Sequence, residues 1–447
     1  MKTIVAISTA PMTSAIGIVR ISGDRAFEIS EKIFSKPLAN VDGYRVVYGK
    51  IYDGKKVLDT VLATVFHAPN SYTGEDTVEL SCHGSPYILN RVVELLIENG
   101  AVRAGRGEFS KMAYINGKMD AVQAEGVIDL IEAQTAAEVA AAQGELGGKI
   151  SEKVEEVRKK LVSLSADILA YVDYPDEDIA DISSEKIEKT VSECYEQINT
   201  LSLTYGKGRM IKNGVRTVIC GKPNAGKSML MNSILGCERS IVTETEGTTR
   251  DVVGESAVFG GVKLEVRDTA GIRDASDDVE KIGVKLAEKE LASADLILFV
   301  FDMSRKKDEN DERVLEEIKK SSAKKIAVLN KSDIAAKTEK TPDFEEFDAS
   351  VVISAKTGEG MKNLEKTVAS LVSDGVVPSE VVMNARQFEC LCGCADALKN
   401  ALDNISMTPD VLLDDVNEAI VCLGSVTGKG VAEQIIEDIF SRFCVGK

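Results

Sequence analysis

The chain has 447 residues, a net charge of −18, 44% hydrophobic and 28% charged residues; that length predicts about two to four domains, each able to bury its own core. The acidity excludes a protein that coats nucleic acid through a broad basic face, although it leaves room for a local site. Two histidines, His67 and His83, are too few for a histidine-rich metal centre.

The start of the chain is mildly apolar, but Pro11, Thr13, Ser14 and Arg20 interrupt it, which argues against a signal peptide. Residues 1–117 then alternate β-rich runs with turns. Ile16–Ile21, Tyr44–Ile51, Val61–Phe66 and Thr77–Ser81 read as strands and Pro86–Asn99 as a helix, which together predict a compact α+β domain. Residues 118–210 turn helical: Ala121–Gln143 and Lys149–Val172 carry apolar residues at three-to-four spacing, Pro175 breaks the pattern, and Ser183–Ser202 resumes it.

Residues 211–375 alternate strands (Thr217–Cys220, Leu264–Arg267, Leu296–Phe301, Ile326–Leu329, Val351–Ile353) with helices, the signature of a mostly parallel sheet covered by helices. Residues 376–447 are helical again and make a marginal core alone, so they are expected to pack on the earlier helical segment, with 211–375 inserted between the two. Cys390, Cys392 and Cys394 fall on a helical stretch, where residues two apart do not share a face, so a metal cluster is not expected there. The nine cysteines lack framework spacing and read as free thiols of a cytoplasmic chain. No apolar run reaches the length of a membrane span.

The chemistry is concentrated in the inserted segment. Gly221-Lys222-Pro223-Asn224-Ala225-Gly226-Lys227-Ser228 fits G-x-x-x-x-G-K-[ST] between a predicted strand and a predicted helix starting at Met229. In that pattern glycines let backbone N–H groups close on phosphate oxygens, the lysine reaches the outer phosphates and the serine hydroxyl binds Mg²⁺. Asn330-Lys331-Ser332-Asp333 follows a strand and selects guanine: a carboxylate accepts from the N1–H and N2–H₂ edge, which adenine lacks. Ser354-Ala355-Lys356 fits the accessory base loop. Asp268-Thr269-Ala270-Gly271 would hold Mg²⁺ through a water at Asp268 and sense the γ-phosphate at Gly271. Within Gly247-Thr248-Thr249-Arg250-Asp251, Thr249 is the candidate switch residue on Mg²⁺. The order of these elements predicts a GTPase. Ile272 stands where Ras-like enzymes place a water-orienting glutamine, so another group has to supply that function.

The whole chain resembles the MnmE (TrmE) family of tRNA-modification GTPases. The likeness runs through Gly17-Ile18-Val19-Arg20-Ile21-Ser22-Gly23, Pro69-Asn70-Ser71-Tyr72-Thr73-Gly74-Glu75-Asp76, Gly107-Glu108-Phe109-Ser110, Asp173-Tyr174-Pro175-Asp176-Glu177 and the terminal Cys444-Val445-Gly446-Lys447. The resemblance implies a multidomain α/β fold: an N-terminal α+β domain of folate-binding type that forms a homodimer, and a helical domain split by an inserted Ras-like α/β G domain. It implies GTP contacts from Asn224 to Met229, with Ala225, Gly226, Lys227 and Ser228 between them. Further contacts would come from Thr243, Glu244, Thr245, Glu246, Gly247, Thr248 and Thr249, and from Asp268, Thr269, Ala270 and Gly271.

It also implies K⁺ on Asn224, Thr243, Thr245 and Thr248, in the place of an arginine finger, with Glu280 orienting the attacking water. A formyl- or methylene-tetrahydrofolate would meet Arg20, Glu79, Lys118 and Lys447. The partner would be MnmG (GidA), carrying FAD and using NADH, in a heterotetramer, and the substrate the wobble uridine of certain tRNAs, gripped mainly by that partner given this chain's acidity. Cys444 is open to two readings: a thiolate adding to carbon six of the pyrimidine, or a tail residue lining the folate pocket. The alternative function is a GTP-dependent ribosome-assembly or regulatory switch.

Overall fold

A computed structural model describes residues 2–173, 184–237, 255–268, 290–335, 344, 346–373, 383–430 and 433–447. It divides into two compact units: residues 1–128, 145–195 and 393–447, and residues 129–144 and 196–392. In sequence, the long segment of the second unit lies between segments of the first.

The first unit begins with a six-stranded sheet in the order β3-β4-β5-β2-β1-β6, formed by β1 Ile4–Ile7, β2 Ile16–Ser22, β3 Arg45–Asp53, β4 Lys56–Phe66, β5 Thr77–His83 and β6 Val102–Arg103. Neighbours are antiparallel except β1 and β6. Alternation sets the faces. Val19 and Ile21 of β2, Val61, Ala63 and Val65 of β4 and Val78 and Leu80 of β5 are buried, and the helix Pro86–Glu98 lays Leu89, Val92, Val93 and Leu96 into the same core. The helix comes so close that a Cβ on Gly17 would collide with Leu89.

Further along, helix Lys149–Asp173 buries Val154, Val157, Leu161, Leu164 and Ile168, a three-to-four spacing that makes one apolar stripe. Helix Pro409–Thr427 packs along it, with Ser165 donating to Asn417 at 2.8 Å and Lys429 to Glu155 at 2.9 Å. The C-terminal helical segment therefore does pack on the earlier one. Helix Glu433–Ser441 sets Ile439 and Phe440 against Ala121 and Ala124.

The second unit carries the sheet β12-β11-β10-β7-β9-β8, formed by β7 Val215–Cys220, β8 Glu255–Phe259, β9 Val262–Asp268, β10 Leu296–Asp302, β11 Lys324–Asn330 and β12 Ala349–Val352. All pairs are parallel except the β8 edge. Every residue of β10 is buried, because helices cover both faces: Leu230, Ile234, Leu364 and Val368 on one side, Leu315 and Ile318 on the other.

The structure differs from the sequence expectation in its strands and in one helix. Strands β1, β6 and β8 add to the predicted set; β6 is two residues long and β8 an edge strand, so neither leaves a strong pattern. The predicted helix Ala121–Gln143 is two helices, Ala121–Glu132 and Ala136–Leu146. Thr135 and Glu138 form a capping box that starts the second: Thr135 Oγ1 accepts from Glu138 N at 3.2 Å, and Glu138 Oε2 accepts from Thr135 N at 2.8 Å. Cys390, Cys392 and Cys394 lie on the helix Ala385–Asp403, with Cys394 buried. Among the described residues no helix is long and apolar enough to cross a membrane.

Candidate functional site

Strand β7 lies at the point where the strand order reverses, with β9 on one side and β10 on the other. In open α/β sheets that point, at the carboxyl ends of the strands, is where ligands bind. There β7 gives way to the loop 221–226 and then to helix Lys227–Cys237. The loop is built around conformations that few side chains tolerate. Gly221 has φ +137° and a Cβ there would collide with Val300 O; Gly226 has φ +101° and a Cβ would collide with Asn330 Nδ2. Asn224 also has positive φ, +63°. The result is a cradle in front of a helix N-terminus, which fits an anionic phosphate chain. Lys227 is buried and donates to Lys222 O at 2.8 Å, while Ser228 and Met229 are exposed at the start of the helix. Burial pushes the thiol of Cys220, the last residue of β7, up to about 12, which disfavours its thiolate.

The base motif is joined to the cradle. Asn330, at the end of β11 and 2% exposed, donates from Nδ2 to Ala225 O at 2.8 Å and accepts at Oδ1 from Ala355 N at 2.9 Å. One amide thus pins the phosphate loop and the accessory loop together. Lys331 has φ +67°, a backbone conformation that costs on the order of 1 kcal/mol or more for such a residue. Asp333 accepts at Oδ1 from the buried Ser354 hydroxyl at 2.8 Å, which fixes the carboxylate that would face guanine. Lys356 is exposed beyond it. Asp268 closes β9, in register with Ile219 of β7. Thr243, Glu244, Thr245, Glu246, Gly247, Thr248, Thr249, Thr269, Ala270, Gly271, Ile272 and Glu280 lie outside the described residues.

A second group of candidate residues meets in the first unit. Arg20 of β2 and Glu79 of β5 are direct cross-strand partners on the sheet face opposite the Val19 and Leu80 core. Arg20 Nε donates to Glu79 Oε1 at 2.8 Å, with the side chains 15% and 23% exposed. The guanidinium carbon lies 5.5 Å from the ring centres of both Tyr72 and Phe109. Tyr72 shares a hydrogen bond with Ser110 at 2.7 Å, and burial pushes its phenol upward.

The C-terminal residues return to this place. Gly107 N donates to Cys444 O at 3.4 Å, Arg106 bridges Val445, and Phe109 N donates to Lys447 O at 3.2 Å. Gly446 has φ +99° and a Cβ there would collide with Ile7 O, so only glycine passes. Burial, and then the Arg20 charge, hold the Lys447 ammonium below the ordinary lysine range. Arg20 and Lys447 bring two cationic donors beside the Glu79 carboxylate in a half-buried place, a donor set that fits an anionic group on a ligand. Lys118 donates to Pro69 O at 3.0 Å, on the loop that carries Tyr72, with its stem against Gly74. Cys444 is exposed. Tyr72 and Phe109 lie within the Pro69–Asp76 and Gly107–Ser110 stretches, but their position over Arg20 depends on strand register and loop path.

Residues 3–118 match the family model described as the GTP-binding protein TrmE N-terminus, and residues 122–444 that of the MnmE helical domain. The tRNA modification GTPase MnmE of Clostridioides difficile (strain 630) is 39% identical over 459 residues, covering 100% of this chain and 99% of that protein. The protein of the same description from Thermoanaerobacter sp. (strain X514) is 39% identical over 458 residues with the same coverage. Among solved structures, a variant of Aquifex aeolicus Era bound to GDP.AlF4- is 28% identical over 41% of this chain and 66% of that one, with a TM-score of 0.30. The G domain of the T. maritima FeoB iron transporter is 26% identical over 35% and 97%, with a TM-score of 0.27.

Proposed function

The chain belongs to the MnmE family of tRNA modification GTPases, and from that premise we propose that it works on the wobble uridine of certain tRNAs, adding an aminomethyl-type group (carboxymethylaminomethyl or aminomethyl) to carbon five. It is a GTP hydrolase of tRNA modification. In the proposed reaction a formyl- or methylene-tetrahydrofolate supplies the one-carbon unit, and an MnmG (GidA) partner supplies FAD and uses NADH.

The observation that carries the folate part is the return of Lys447 to the Arg20–Glu79 pair beneath Tyr72 and Phe109. Arg20 and Lys447 would hold the anionic glutamate tail, Glu79 would accept from pterin N–H groups, and Lys118 would add a further cation. Cys444, exposed on the same tail, is the proposed thiol that adds to carbon six of the pyrimidine.

On the nucleotide side, Ser228 and Thr249, with Asp268 through a water, would hold Mg²⁺. Asn224, Thr243, Thr245 and Thr248 offer oxygen ligands for a K⁺ ion that would offset developing charge, and Glu280 would orient water where Ile272 cannot. Asn224, exposed at the rim of the loop, supports the K⁺ reading. Edge strand β3 and its neighbour leave Val46, Tyr48 and Leu62 exposed on one face at 57%, 63% and 45%, which supports a homodimer through this domain. A net charge of −18 supports leaving most phosphate contacts to the partner.

Titration of formyl-tetrahydrofolate into the full chain tests the reading. Saturable binding that is lost in Arg20→Ala and weakened in Lys447→Met is expected; a wild-type chain that does not bind contradicts it.

A further inference from the structure

Lys331 of the base motif is held by a carboxylate that belongs to no nucleotide-binding motif of the sequence. Asp302 ends the buried strand β10 and is in register with Asn330 of β11, so Lys331 leaves the sheet one residue beyond it. Asp302 Oδ2 accepts from Lys331 Nζ at 2.6 Å. Its Oδ1 accepts from Ser304 N at 2.9 Å and from the Ser304 hydroxyl at 2.6 Å. Both oxygens are engaged, so the carboxylate is fixed in direction. Burial pushes this carboxyl upward, but the Lys331 ammonium and the two Ser304 bonds outweigh it and hold it below the ordinary range. Met303 N donates to Asn330 O at 3.0 Å and closes the same corner.

The segment then runs on to the phosphate loop. Asp308 caps helix Glu309–Lys319 through a capping box with Asp311, and it also accepts from Lys222. Asp311, 1% exposed, lies 3.6 Å from Lys222 and takes two bonds from Arg305 at 2.6 and 2.8 Å. Arg305 in turn stacks 5.1 Å over Phe301. Residues 302–311 therefore grip the base motif at Lys331 and the phosphate loop at Lys222.

We propose that Asp302 is a positioning residue of the guanine site, acting through Lys331. It anchors the ammonium so that the four-carbon stem lies along the base, while Asp333 reads the base edge. The structure carries this independently of the phosphate pattern, because the anchor is a strand-end acid whose two oxygens and whose register are both fixed.

A double-mutant cycle on the full chain tests it, with GDP affinity measured by fluorescence of a labelled GDP at fixed Mg²⁺. Asp302→Asn is expected to weaken GDP about tenfold, since a hydrogen bond to a charged group is lost. In a Lys331→Ala background the same change is expected to have no effect. An equal loss in both backgrounds, or no loss in the wild-type background, overturns the proposal. The ratio of GDP to IDP affinity gives a second readout. Lys331 does not read the 2-amino group, so Asp302→Asn is expected to leave the ratio unchanged; a changed ratio would mean that Asp302 acts through Asp333 and overturns the proposal. If Asp302→Asn fails to fold, Ser304→Ala removes one of the two bonds that orient Oδ1 and leaves the carboxylate in place. About threefold weaker GDP binding is then expected, from the loss of one bond to a charged group, and unchanged binding overturns the proposal.

Discussion

Asn330 and Ala225 are 105 residues apart in the chain, and the Asn330 side-chain amide donates to the Ala225 carbonyl at 2.8 Å in a buried setting. The same amide accepts from Ala355 N. The candidate base motif and the candidate phosphate loop are therefore parts of one hydrogen-bonded corner. Asn330→Ala leaves a buried carbonyl and a buried N–H without partners, each costing about 1–3 kcal/mol. The expected outcome is at least about tenfold weaker GDP binding together with a lower melting temperature, read by labelled-GDP titration and thermal denaturation.

Lys447 predicts a division between stability and binding. Its ammonium is held below the ordinary lysine range by burial and then by Arg20. The fold therefore disfavours the charged form: below the folded pKa the charge weakens the fold, and this penalty is relieved as pH rises from the folded toward the unfolded value. Lys447→Met is expected to leave the melting temperature at neutral pH unchanged or raised, while weakening formyl-tetrahydrofolate. Binding of that anion to the wild type is expected to decline with rising pH earlier than an ordinary lysine would dictate. Calorimetry and binding titrations across the alkaline range check both.

Thiol reactivity separates the cysteines. Burial pushes Cys82 and Cys220 up to about 12 and Cys194 up to about 11, and it raises Cys394 as well. Cys444 is exposed. Brief iodoacetamide treatment at mildly alkaline pH is expected to label Cys444 ahead of those four, as read by peptide mass spectrometry. Formyl-tetrahydrofolate is expected to slow that labelling.

The corner between the short helical segment 129–144 and β9 predicts a stability effect. Glu138 Oε1 accepts from Lys263 Nζ at 3.1 Å while its other oxygen caps the helix at Thr135. Glu138 is 8% exposed at the side chain and Lys263 22%. Lys263→Met leaves that buried carboxylate without its cation and is expected to destabilise by about 2–4 kcal/mol, below the range for fully buried pairs. Denaturant unfolding of the full chain reads this as a lower midpoint.

Much of the candidate nucleotide site is legible in the sequence because local rules dictate it. Gly221 and Gly226 occupy backbone conformations closed to other residues, which the glycine spacing of the loop pattern marks. The parallel sheet is legible because its strands are continuous apolar runs, β10 above all. The break at Thr135 is less visible, since apolar spacing continues across it and only the Thr–x–x–Glu box marks the restart. Asp302 carries no pattern of its own; its role comes from the register of β10 against β11. The Arg20–Glu79 pair falls between these cases. Alternation puts each side chain on the outer face, but tertiary pairing decides that they meet.

K⁺ dependence tests the hydrolysis part of the proposal. With Ile272 unable to orient water, GTP turnover is expected to be at least about tenfold faster in KCl than in NaCl at matched ionic strength. Glu280→Ala is expected to bind GTP normally and hydrolyse it more slowly. Equal turnover in the two salts removes the ion from the mechanism.

The central claim, that this GTPase modifies the wobble uridine of tRNA, is tested most directly by mass spectrometry of tRNA nucleosides from cells lacking the gene. Loss of the aminomethyl-type group at carbon five is expected, restored by the wild-type gene and not by Arg20→Ala. An unchanged wobble-uridine profile in the deletion strain would contradict it.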